Sequence, residues 1–93
     1  MAKSDLIRAA ITFQKWEKPW SFDSVVLNQL SDNSEDRAVF MKIWAEACRS
    51  ENWQQADISM CCDACDSRLK HEFSWLPEEA RAQFVRAGSF QSK

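Results

Sequence analysis

The 93-residue chain contains a single glycine, Gly88, and only two prolines, Pro19 and Pro77. Tight strand-to-strand turns lean on glycine, so this scarcity argues against a sheet and for an all-α fold. It also excludes a glycine-rich phosphate loop. Long apolar runs are missing too: the longest, Ala38–Met41, has four residues, against the ~20 that a membrane span requires. Charges at Lys3, Asp5, Arg8 and Lys15 break up the first sixteen residues, leaving no apolar stretch of signal-peptide length. A cytoplasmic protein with reduced thiols is the corresponding expectation. A basic excess is absent as well. Twelve Lys and Arg against fourteen Asp and Glu leave a net charge of −2, short of the electrostatic footprint of a non-specific nucleic-acid binder.

What the chain does have is a 45% apolar fraction with helical periodicity, enough for one domain spanning residues 1–93. Ser4 is placed to cap a first helix with Asp5 in its first turn, and Leu6, Ala9, Ala10, Phe13 and Trp16 form its apolar face up to Lys18-Pro19. Residues 22–30, with Phe22, Val25, Val26 and Leu30, read as helix, although the β-branched pair also suits a strand. The polar break Ser31-Asp32-Asn33-Ser34 opens a third helix whose core face carries Val39, Phe40, Ile43, Trp44, Ala47 and Cys48. From Trp53 to Trp75 the pattern is again helical, with Asp57 as an internal cap. Its apolar seam runs Ile58, Cys61, Cys62, Cys65, Leu69, Phe73 and Leu76. Pro77 with Glu78-Glu79 opens a last helix. Gly88 is expected as its left-handed C-terminal cap, with residues 88–93 fraying beyond it. The sum is a compact bundle or orthogonal array of four to five short helices.

The sharpest chemical feature is Cys61-Cys62-Asp63-Ala64-Cys65, with Cys48 upstream and the sole histidine, His71, downstream. Cys48, Cys62, Cys65 and His71 would supply four zinc ligands on paper. The second close-spaced ligand pair of a zinc knuckle is absent, however, and three of the thiols lie on the apolar seam. Free cysteine packs as a small hydrophobe, so the expectation is core filling and no cofactor, with zinc or a thiol-based sensor as alternatives. Cys65 and His71, six positions apart on a helix, point to different faces and do not make a nucleophile–base pair. The paired acids Glu35-Asp36 and Glu78-Glu79 sit at helix starts, where the dipole accounts for them. No catalytic constellation emerges, and the chain is not expected to be an enzyme.

Interaction signals are stronger. Five tryptophans (Trp16, Trp20, Trp44, Trp53 and Trp75) are well above the ordinary share. Trp44 and Trp16 belong to core faces, whereas Trp20, Trp53 and Trp75 fall near helix entries and breaks, where a partner surface can use them. Residues 21–51 carry three basic and six acidic groups, and Asp32, Glu35, Asp36, Glu46 and Glu51 form a candidate acidic patch. The expected function is therefore a small non-catalytic regulator or inhibitor that binds another protein through Trp20, Trp53, Trp75, Asp32, Glu35 and Asp36. Accessory proteins of mobile elements or phage suit such a chain. The alternative is a helix-turn-helix-like or zinc-stabilised nucleic-acid module, with Arg68 and Lys70 on a reading helix. Asp63, Asp66 and Glu72 on the same helix oppose phosphate. A homodimer that closes an exposed apolar face is also compatible with the pattern.

Overall fold

The computed structural model describes residues 4–54 and 56–91. Five α-helices follow in order: α1 (Ser4–Thr12), α2 (Phe22–Gln29), α3 (Ser34–Ala47), α4 (Ile58–Glu72) and α5 (Glu78–Gln91). Two 3-10 turns, Pro19–Ser21 and Ser50–Trp53, precede α2 and α4. No strand occurs among the described residues, and residues 22–29 are helical. The all-α expectation holds, and no helix among the described residues is long and apolar enough to cross a membrane.

Local signals account for several boundaries. Asn33 caps α3, its side-chain oxygen accepting from the Asp36 amide at 3.1 Å. Asp57 does the same for α4, accepting from the Met60 amide at 2.8 Å. Asp57 is thus a true N-cap: the helix expected over residues 53–75 is divided, with the 3-10 turn Ser50–Trp53 before it and α4 starting at Ile58. Two other expectations are corrected. The first helix ends at Thr12 instead of continuing to Trp16. Gln83 of α5 reaches across and donates to the carbonyls of Ala10 (3.0 Å) and Phe13 (2.8 Å), satisfying acceptors at the end of α1. Thr12 Oγ1 donates to the Arg8 carbonyl at 2.8 Å, a back-bond that competes with further helix. Gly88 lies inside α5, not at its end, and no described glycine has positive φ. Residues 88–91 of the expected frayed tail are helical, and residues 92–93 lie outside the described residues.

The core is centred on Phe22. Its ring lies 5.0 Å from Phe13, 5.3 Å from Phe84, 5.5 Å from Trp44, 6.0 Å from Phe40 and 6.2 Å from Trp16, centroid to centroid. The first residue of α2 therefore ties together α3, α5 and the segment after α1. Around it pack the buried Leu6, Ala10, Leu30, Ile43, Leu69 and Ala80. Helix α5 lies against α1, α3 and α4 at once. Small side chains let it do so. At Gly88 an added Cβ would stand 3.0 Å from the Ala47 carbonyl oxygen and 3.1 Å from the Trp53 ring, so glycine is there for close approach.

Candidate functional surface

Of the three tryptophans expected at a partner surface, the structure leaves one open. Trp20 sits in the 3-10 turn between buried Pro19 and buried Phe22, and its side chain is 64% exposed. Trp53 is half-buried, donating its indole N–H to the Ala47 carbonyl at 2.9 Å and covering Gly88. Trp75 is half-buried against Phe73 in an edge-to-face pair at 6.2 Å. Trp53 therefore belongs to the packing of α3 on α5, and Trp75 to the turn that joins α4 and α5.

The acidic group divides in the same way. Asp32 and Glu35 are exposed, but Asp36 is fully buried, and it leaves the expected patch. Its Oδ2 accepts from the Leu6 amide at 3.0 Å, so it caps the first turn of α1 from thirty positions away. Its Oδ1 is buried with no hydrogen-bond partner. Asp32 lines an open polar cavity of about 360 Å³ together with Asp5, Arg8, Gln29 and Asn33. There Asn33 Nδ2 donates to Asp5 at 3.1 Å. Trp20 and Asp32 stand beyond opposite ends of α2, roughly 12 Å of helix apart. The tryptophan and the acids are thus two separate features, not one continuous surface.

The apolar seam of α4 also ends earlier than its periodicity implies. Cys61, Cys65, Leu69 and Leu76 are buried, but Ile58, the first residue of α4, is 58% exposed. Met60 (48%) and Met41 (51%) are exposed as well. The periodicity gave no signal for either methionine.

The thiols are free. Cys65 donates to the Ala47 carbonyl at 3.6 Å, and burial pushes its pKa up to about 12. Cys48, half-buried at the end of α3, is pushed up to about 11 by burial and then by the nearby Asp23 carboxylate. Cys62 is raised too, first by burial and then by Cys61 and Asp63. Such thiols stay protonated near neutral pH and are weak nucleophiles. His71 is exposed in the last turn of α4, where a basic group complements the helix dipole. Among the described residues no three His, Cys, Asp or Glu side chains converge as a metal ion would need, and Cys48, Cys62, Cys65 and His71 form no such group.

Arg68, expected on a reading helix, is engaged elsewhere. Its Nε donates to Asn52 at 2.9 Å, and its guanidinium faces Glu51 at 3.7 Å and Glu46 at 4.0 Å. Arg49 joins the same acids at 2.8 and 3.3 Å. Lys70 is exposed. No protein-family model matches the chain, and no curated protein or solved structure shows significant similarity to it.

Proposed function

We propose that this protein is a non-catalytic regulator or inhibitor that binds another protein through a surface centred on Trp20. The observation that carries this reading is the exposure of the Trp20 indole on a short turn that is tied to the core by buried Pro19 and by buried Phe22 two positions on. Tryptophan offers a large, rigid contact area at little entropic cost, and it dominates binding hot spots when a partner removes it from water. The flanking Pro19 and Phe22 pre-order that contact, which keeps the entropic cost of association low. Asp32 and Glu35, at the far end of α2, steer a basic partner surface without belonging to the anchor. The raised thiols and the lone exposed His71 favour binding over chemistry. The helix-turn-helix alternative is weakened by the ion pairs that occupy Arg68.

The test is affinity capture from host lysate with the full chain, comparing wild type, Trp20→Ser and Met41→Ser. A specific partner should be retained by wild type and by the Met41 variant, and its recovery should fall at least about tenfold with Trp20→Ser, the loss expected of a hot-spot residue. Equal recovery by all three proteins refutes the proposal.

A further inference from the structure

A second open groove runs between α4 and α5, with a volume of about 360 Å³. Cys62, Ala82 and Val85 form its apolar floor, and Asp63 on α4 and Arg86 on α5 stand on opposite walls. The other polar groups of the groove are satisfied internally. Asp66 accepts from Arg81 at 2.6 Å, and the Ser89 hydroxyl donates to the Arg86 carbonyl at 2.6 Å. Asp63 has no hydrogen-bond or ion-pair partner among the described residues, and the Arg86 guanidinium meets only the Trp16 ring, at 4.2 Å from its centroid. An apolar floor is therefore flanked by two charges of opposite sign, neither of them in an ion pair among the described residues.

We infer that the occupant of this groove is a second copy of the chain. A twofold axis running along the groove sets α4 of each subunit against α5 of the other. Asp63 then meets the other subunit's arginine, and Arg86 meets the other subunit's aspartate. A foreign partner would need both opposite charges in the right places, whereas the symmetry of a self-pair supplies them. The low net charge of −2 opposes self-association little. Fifteen residues of α4 make a face roughly 22 Å long. Two helices wide, such a face buries on the order of 400 Å² per subunit, the range of weak and reversible pairs. The dimer is accordingly a weak, salt-sensitive one, and it does not depend on Trp20.

Sedimentation equilibrium of the full chain, from about 1 µM to 1 mM, tests this. Wild type should dimerise within that range and less so in high salt. Asp63→Arg and Arg86→Glu should each raise Kd at least about tenfold, because each breaks two symmetry-related pairs, and the double variant should restore it. Ala82→Lys, at an exposed floor position, should also abolish pairing, and Trp20→Ser should leave Kd unchanged. Circular dichroism confirms that each variant keeps its helices. Should Arg86→Glu lose them with its Trp16 contact, Asp63→Arg and Ala82→Lys decide the matter. A wild type monomeric up to 1 mM overturns the inference. So does a dimer insensitive to Asp63→Arg and Ala82→Lys, or a folded double variant that fails to recover. In each case the Trp20 reading stands untouched.

Discussion

Trp20 is held in place by its neighbours more than by its own contacts. Pro19 is buried, Phe22 anchors the aromatic core, and the indole between them faces water. The other four tryptophans are half-buried. Acrylamide quenching reports this difference: Trp20→Phe should remove the steeply quenched, red-shifted part of the emission. An unchanged quenching slope would show that Trp20 is covered in solution. Asp36 illustrates the opposite case. Its carboxylate satisfies the Leu6 amide, so Asp36→Ala strands a buried donor and should cost about 1–3 kcal/mol. Asp32→Ala and Glu35→Ala, at exposed positions, should stay within about 0.5 kcal/mol. Urea unfolding of the three variants checks the ranking. Locally the three acids look alike, each beside a polar break and near a helix start. What separates them is a partner thirty positions upstream, which no short-range pattern contains.

At the scale of elements, boundaries that depend on local chemistry were legible, and those set by tertiary contacts were not. The polar run around Asn33 marked α3, and Pro77 with two glutamates marked α5, because capping and the helix dipole act over one turn. The end of α1 is not written in its own residues, because Gln83, seventy or more positions away, satisfies its carbonyls. Gly88 departs from its local signal: a glycine late in a helix pattern signals a cap, whereas here it admits the Ala47 carbonyl. That oxygen accepts from both Trp53 and Cys65, so shifting it disturbs two bonds. Gly88→Ala gains up to ~1 kcal/mol of helix propensity. The 3.0 Å approach to a backbone atom should outweigh that gain. The expected result is a net loss of about 1 kcal/mol, or a Tm about 5 °C lower by calorimetry. A raised Tm would mean that the carbonyl can yield.

For the whole molecule, the rings around Phe22 join elements from both halves of the chain into one buried cluster. Phe22→Ala should cost about 3–5 kcal/mol, a large share of the ~5–15 kcal/mol typical of a domain. Chemical denaturation should show the loss in a single transition. Burial of the thiols also gives a pH dependence. Cys65, Cys48 and Cys62 have pKa values raised above the ordinary 9.0. Below pH 9 the thiols are neutral in folded and unfolded chains alike, and their contribution is complete. Above it the unfolded chain ionises first, so stability should fall from about pH 9 toward the folded values near 11 and 12. Cysteine-to-alanine variants should flatten that decline.

The proposed function turns on Trp20 as a contact point. The most direct measurement places a photo-crosslinking phenylalanine analogue at position 20 and, as a control, at exposed position 41, then irradiates each in host extract. A discrete adduct from position 20 alone, suppressed by excess unlabelled wild type but not by excess Trp20→Ser, is the predicted result. Adducts that are identical from both positions, or that wild type cannot compete away, would contradict it.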